Sequence, residues 1–266
     1  MFRRFYGLRE KPFSKTPDPR FLYLSRWHQE ALARLQYAVE EREPALLTGA
    51  IGSGKTTISR ALMDSLDDSY RFCFIFNPVL TPLEFLRVVA RNLGLENPAG
   101  CKDDLLKEIT GELYNCHNEG GCPVIVIDEA QLIPGREVFD EIRLLTNFQL
   151  DDKNLLSMII MGQPEVRKKL AHPVFEPLRQ RIGIQYHLAP LDLEETMEYM
   201  DFRIKVAGGK PGLFSPEAIQ MIHELSGGVP RRINAIATNA LLVGYGKDAA
   251  WIDDAVIEEV RNELTI

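Results

Sequence analysis

Long apolar runs are missing from this chain of 266 residues. A membrane-spanning helix needs roughly 20 consecutive apolar residues. The greasiest stretch, Leu155 to Met161, is long enough only for a strand. The opening residues MFRRFYGLREKPF carry early charges and no apolar segment, so they do not read as a secretory signal. Cysteine is scarce: Cys73, Cys101, Cys116 and Cys122 form neither a CxxC pair nor a dense disulfide framework. They are expected to be reduced thiols in a cytoplasmic protein. His117, His172 and His223 lack metal-ligand spacing with Cys or carboxylates. Concentrated positive charge is also lacking. Lys and Arg number 31 against 38 Asp and Glu, for a net charge of −7. Only residues 1–43 and 164–190 are net positive, by +3 each, well short of a nucleic-acid-binding footprint. What remains is ordinary globular composition, 45% hydrophobic and 26% charged.

Residues 1–22 are rich in Pro, Phe and Arg and read as an irregular N-terminal arm. Ser25 is placed to cap a helix from about Arg26 to Glu43, which Pro44 stops. Short apolar strands are expected at 45–48, 72–76, 123–128, 156–162 and 184–188, with helices between them. One of these helices is expected to follow the fourth strand and to run through about Arg181. Five such strands separated by helices imply a parallel sheet covered on both faces. After Pro190 only helical patterns follow, at Glu194–Val206, Ser215–Leu225, Pro230–Val243 and Asp253–Leu264. The expected division is an arm at 1–22, an α/β core at 23–190 and a helical lid at 191–266.

Gly49, Ala50, Ile51, Gly52, Ser53, Gly54, Lys55 and Thr56 match GxxxxGK[ST] in full, between an expected strand and an expected helix that continues through Thr57. The glycines let backbone N–H groups turn inward around phosphate oxygens, and the helix N-terminus adds positive potential. Lys55 is suited to the β- and γ-phosphates of ATP, and the Thr56 hydroxyl to Mg²⁺. Asp128 and Glu129 close the third strand, at the strand end where ligands of open α/β sheets bind. Asp128 suits direct or water-mediated contact with Mg²⁺, and Glu129 is expected to orient and polarise an attacking water.

With Gln163 after the next strand and arginines before the fifth, these motifs resemble an AAA+ ATPase. Longer strings resemble a narrower group, the ExeA/GspA (general secretion pathway protein A) family: FYGLREKPFSKTPDPRFLYLS, LLTGAIGSGKTT, FNPVLTPLEFL, VIVIDEAQ, GQPE, LRQRIGIQYHLAPL, GLFSPEAI and GGVPRRIN. The resemblance implies a P-loop NTPase fold, a three-layer αβα core with a parallel five-stranded sheet followed by a small all-helical lid. It also implies roles. Gln163 resembles sensor 1, which contacts the γ-phosphate or the water. Arg181, with Arg179 assisting, resembles an arginine finger aimed at a neighbour's ATP. Arg231 resembles sensor 2, and Arg232 must point about 100° away on the same helix. Asn77 resembles the residue that holds the catalytic Glu, or else caps the turn at Pro78. Tyr23, Leu24 and His28 resemble the adenine-side segment. Secretion-type members often continue into a membrane span and a peptidoglycan-binding domain. Residues up to Ile266 contain neither, so no direct grip on the cell wall is expected.

The expected function is Mg²⁺-dependent ATP hydrolysis by a cytoplasmic oligomer, a ring or a filament. Its protein partner would be a secretion, type IV pilus or transposition complex. Two alternatives stand beside it: an ATP-dependent, DNA-binding transposition helper that recruits a transposase, and a nucleotide-binding scaffold with little turnover. For DNA the obvious cations are Arg3, Arg4, Arg167, Lys168 and Lys169, although the last three read first as a solvated helix face.

Overall fold

The computed structural model describes residues 1–14, 18–150 and 153–264. Part of the expected arm, Lys15–Pro17, lies outside the described residues. In chain order the first half holds α1 (Phe2–Phe5), α2 (Arg26–Glu40), β1 (Ala45–Gly49), α3 (Lys55–Ser65), β2 (Tyr70–Ile75), α4 (Pro82–Asn92), α5 (Lys102–Asn118) and β3 (Cys122–Ile127). Then come α6 (Arg136–Leu145), β4 (Gln149–Leu150), β5 (Lys153–Asn154), β6 (Ser157–Gly162), α7 (Pro164–Leu170), α8 (Glu176–Arg179) and β7 (Ile184–Leu188). The C-terminal helices are α9 (Leu193–Val206), α10 (Pro216–Ser226), α11 (Pro230–Gly246) and α12 (Asp254–Leu264). Close contacts group the chain into two units. One comprises His28–Gly49 and Ile58–Leu188; the other comprises Met1–Trp27, Ala50–Thr57 and Ala189–Ile266.

The first unit carries a five-stranded parallel sheet in the order β2-β3-β6-β1-β7. Every residue of β1, β3 and β6 is buried. Side chains alternate between faces along a strand. Leu46, Ile125, Ile127, Met158 and Ile160 therefore join one cluster with Phe85 and Leu86 of α4, Ile109 of α5 and Phe139 of α6. The alternate residues Leu47, Val124, Val126, Ile159 and Met161 are equally buried, and α2 and α3 contribute Ala31, Leu35, Val39, Ile58 and Leu62 to the buried set. Burial on both faces is why these strands read as continuous apolar runs. A capping box starts α4: the Thr81 side chain accepts from Glu84 N–H while the Glu84 carboxylate accepts from Thr81 N–H.

Two expectations are corrected here, and one element was not expected. The single helix expected after the fourth strand is three short pieces: α7, a 3₁₀ turn at Pro173–Phe175, and α8. Pro173 and Pro177 each sit in the first turn of a piece, where a missing N–H is tolerated, and so each forces a fresh start. The helix expected to reach Glu43 ends at Glu40, because Arg42 turns left-handed at φ 56°. The antiparallel pair β4–β5 is too short for an apolar alternation to announce it.

In the second unit α9, α10, α11 and α12 pack around Met200, Ile204, Ile222, Ile233, Ala237 and Ile257. Asp192 and Glu195 form a capping box at α9. Ser215 caps α10, and Gly227 ends that helix at φ 60°. The N-terminal residues add Leu8, Phe13 and Phe21 to this core. Buried Arg203 fastens them. Its Nε donates to Pro12 O at 2.6 Å, Nη2 to Ser14 O at 3.3 Å and Nη1 to Tyr199 Oη at 2.9 Å.

Candidate active site

The phosphate loop, Ala50–Thr57, starts one residue after β1 and opens α3. Gly52 and Gly54 hold φ of 78° and 104°, a backbone region that other residues enter only at a cost. Ser53 N–H donates to Ala50 O at 3.1 Å and closes the turn. Lys55 is buried at the helix start and its Nζ donates to Ala50 O at 3.1 Å. Thr56 is exposed. The first turn of α11 packs directly on the loop: Arg231 N–H donates to Gly52 O at 3.3 Å. A Cβ at position 52 would stand 2.4 Å from the Arg231 Cβ, so the contact requires glycine there. Arg232 turns away and donates from Nη2 to Leu225 O at 2.7 Å, as the helical step between neighbours demands.

The acidic pair lies in the other unit, at the carboxyl end of β3. Asp128 is buried, and its N–H donates to Ile75 O at 2.9 Å, extending the β2–β3 ladder by one residue. Its Oδ1 accepts from Glu129 N–H at 2.8 Å. Glu129 itself is left-handed, φ 53° and ψ 37°. For a non-glycine residue that conformation is uncommon and marks functional turns. Gln163 follows β6 and precedes α7; its Nε2 donates to Glu129 Oε2 at 3.4 Å. A residue that the sequence reading passed over completes the group. Gln131 accepts Gln163 N–H at Oε1, 3.0 Å, and donates from Nε2 to Glu129 Oε2. The string VIVIDEAQ contains it, but no periodicity or spacing marks an amide that bridges two strand ends.

The other candidates fall elsewhere. Asn77 is exposed, and its Oδ1 accepts Val79 N–H at 3.4 Å, which caps the turn at Pro78. The side chains held to Glu129 are those of Gln131 and Gln163, not that of Asn77. Arg179 is exposed and pairs with Glu176 at 3.8 Å. Arg181 is exposed and donates to Thr146 O at 3.3 Å. Tyr23 donates to Glu198 Oε2 at 2.5 Å and sets its ring against Tyr199 and Phe202. Burial, reinforced by Glu198, drives its phenol pKa far upward. His28 is buried in α2. The Arg167–Lys169 run is corrected: Arg167 and Lys168 are exposed, but Lys169 turns inward. Its Nζ donates to Ile133 O and lies 5.2 Å from the centre of the Phe139 ring, and burial lowers its pKa.

Among the described residues no group of three or more His, Cys, Asp or Glu is gathered as a metal cage. Mg²⁺ at phosphoryl-transfer sites takes one or two protein oxygens and completes its shell with substrate phosphates and water. The Thr56 hydroxyl and the buried Asp128 carboxylate are hard oxygen donors of that kind. No helix of the described residues is long and apolar enough to cross a membrane.

Comparison with known proteins agrees with this anatomy. The AAA_22 family model, an AAA domain, matches residues 39–170. General secretion pathway protein A of Aeromonas hydrophila is 40% identical over 253 residues, which are 93% of this chain and 45% of that protein. The chain thus spans less than half the length of that relative. Among solved structures, Cdc6p of Pyrobaculum aerophilum superposes with a TM-score of 0.70 at 19% identity, covering 93% of this chain and 71% of that one. The Aeropyrum pernix ORC1 protein, solved in complex with DNA, gives 0.67 at 19% identity, covering 96% and 69%. At such identities the two structures speak for the fold alone. A phosphate loop after β1, a buried Asp and a left-handed Glu after β3, and a sequence matched along nearly its full length to one relative lead to one assignment: the chain belongs to the AAA+ P-loop ATPases, in the general secretion pathway protein A family.

Proposed function

We propose that the chain hydrolyses Mg-ATP and uses the cycle to assemble or remodel a partner complex. The observation that carries the reading is the arrangement of Asp128, Glu129 and Gln163 at adjacent strand ends, with Glu129 set in a left-handed turn. Lys55 and the loop N–H groups bind the β- and γ-phosphates, and Thr56 and Asp128 supply oxygens for Mg²⁺. When bound, the metal supplies charge neutralisation on the phosphate oxygens. Glu129 accepts a proton from the attacking water, Gln163 orients that water, and Arg231 contacts the γ-phosphate from the helical lid. A neighbouring subunit supplies Arg181, assisted by Arg179; fingers of this kind contribute roughly 10³–10⁵ in rate. The working division is an arm at 1–22, a nucleotide-binding core at 23–190 and a lid at 191–266. The 40% identity to a protein named for general secretion supports a secretion-type complex as the partner, and on this reading the chain works in the cytoplasm.

The test separates binding from chemistry. Lys55→Ala should abolish binding of a fluorescent ATP analogue. Glu129→Gln should keep that binding and lower turnover by roughly 10²–10⁴-fold, the range for a removed general base. Wild-type turnover in Glu129→Gln would sink the assignment of the base.

A further inference from the structure

Gln131 sits where a single amide ties together the two residues to which the proposed chemistry is assigned. Its orientation follows from the partners. Gln163 N–H is a backbone donor, so the Gln131 atom 3.0 Å away must be the carbonyl oxygen. The amide nitrogen is then turned to Glu129 Oε2, a carboxylate oxygen that can only accept. Gln163 Nε2 reaches the same Oε2 at 3.4 Å. One carboxylate oxygen therefore carries both amide donors. The other, Oε1, makes no hydrogen bond among the described residues and is the oxygen left to receive a proton from water.

The backbone around this group is shaped to fit it. Glu129 turns left-handed and its N–H is taken by Asp128 Oδ1, which fixes the direction from which its side chain leaves. Gly162, the last residue of β6, lies under the Gln131 amide. A Cβ there would stand 2.8 Å from Gln131 Oε1 and 2.5 Å from Val166 Cγ2. An absent side chain at 162 is thus a condition for the bridge.

We propose that Gln131 is the positioning residue of this site. It clamps Glu129 Oε2 and the backbone of Gln163 in one register, so that Glu129 Oε1 presents a fixed lone pair to the water. The inference rests on Glu129 acting as the base, and it moves the restraint on Glu129 from Asn77, whose side chain caps a turn, to Gln131.

The experiment uses the full chain, with turnover, ATP-analogue binding and thermal melting measured in parallel. Gln131→Ala should lower kcat roughly 10–100-fold, the usual effect of removing a supporting partner, while analogue affinity stays within about twofold. Gln131→Glu gives the sharper readout, because it is isosteric. While protonated, the introduced carboxyl accepts from Gln163 N–H and donates to Glu129, as the amide does. Once ionised, it places a second negative charge against Glu129. An ordinary Glu titrates at about 4.3 and a neighbouring carboxylate moves it upward. The variant's rate relative to wild type should therefore fall as pH rises from about 5, through the titration of the introduced carboxyl, which loss of packing alone would not produce. Should Gln131→Ala fail to melt cooperatively, Gln131→Glu carries the test alone. Wild-type kcat in Gln131→Ala, or a relative rate in Gln131→Glu that is flat with pH, overturns the proposal. Wild-type turnover in Glu129→Gln would mean instead that the reading of the base had failed.

Discussion

In the sheet-bearing unit, β3 and β6 are buried along their whole length, and their chemistry-bearing neighbours wait until the strands end, at Asp128 and Gln163. In the helical unit polar groups sit in the middle of the core. Arg203, Tyr199 and Asn234 are all buried there, and the Tyr199 hydroxyl accepts from Arg203 and donates to Asn234 Oδ1 at 2.7 Å. The Arg203 guanidinium also lies 4.9 Å from the Phe21 ring centre and 5.5 Å from that of Tyr199. The contrast has a physical basis. A strand satisfies its backbone through its neighbours and needs no side-chain polarity, so the interior of a parallel sheet can be dry. The N-terminal segment folds with little regular structure, so carbonyls such as Pro12 O and Ser14 O need donors from elsewhere. Arg203 supplies them. One unit positions residues by topology, and the other fastens a segment by specific hydrogen bonds.

The largest effect expected from breaking this contrast is on the dry side. Phe85 is fully buried in α4 against the sheet. Phe85→Ala should cost about 3–5 kcal/mol through lost burial and a cavity, read by chemical denaturation. On the polar side, Arg203→Met keeps much of the volume but leaves two carbonyls and the Tyr199 hydroxyl short of donors. It should cost about 2–4 kcal/mol, the scale of buried bonds to a charged group. Arg203→Lys should recover little, because one ammonium cannot span the three acceptors that the guanidinium fork reaches. Full recovery by Lys would show that charge alone holds the segment.

The sheet could be read from sequence because its strands are apolar on both faces, and the phosphate loop because its glycines and Lys55 have fixed spacing. Asp128 and Glu129 were legible from their place after an apolar run. What escaped shares a cause. Gln131 and Arg203 matter through partners 32 and 191 residues distant, Gln163 and Pro12, and no local pattern records such a pairing. Lys169 looked like part of a solvated run, yet the helix it belongs to is short and turns that one side chain inward. Asn77 carried a role by resemblance, while its local chemistry, an Asn side chain accepting a backbone N–H two residues on, describes what it does here.

A smaller effect tests Tyr23. Its hydroxyl donates to an exposed carboxylate and its ring packs on aromatics. Tyr23→Phe should cost about 0.5–1.5 kcal/mol and leave ATP-analogue affinity within about twofold. A tenfold loss of affinity at unchanged stability would instead place the phenol at the nucleotide.

The smallest effect probes dryness itself, through thiols. All four cysteines belong to the sheet-bearing unit; Cys101 is exposed, and Cys73, Cys116 and Cys122 are buried. Burial raises the Cys73 pKa from 9.0 to about 11 and also pushes up Cys116 and Cys122. Thiolate is the reactive form. At pH 8 Cys73 is about one part in a thousand thiolate, which follows from its distance below pKa, and it is shielded as well. A maleimide at pH 8 should therefore label Cys101 in the folded protein, and the other three only after denaturation, as peptide mass mapping would reveal. The linkage sign follows. The unfolded Cys73 thiol loses its proton near pH 9 while the folded one keeps it to about 11. The unfolded state then binds fewer protons, so this stabilisation is whole below pH 9 and is lost as pH rises toward 11. Replacing Cys73 by Ala, which cannot ionise, should flatten that part of the alkaline stability curve. Rapid labelling of Cys73 in the folded protein at pH 8, or an alkaline curve unchanged by Cys73→Ala, would mean that water reaches the inner face of β2.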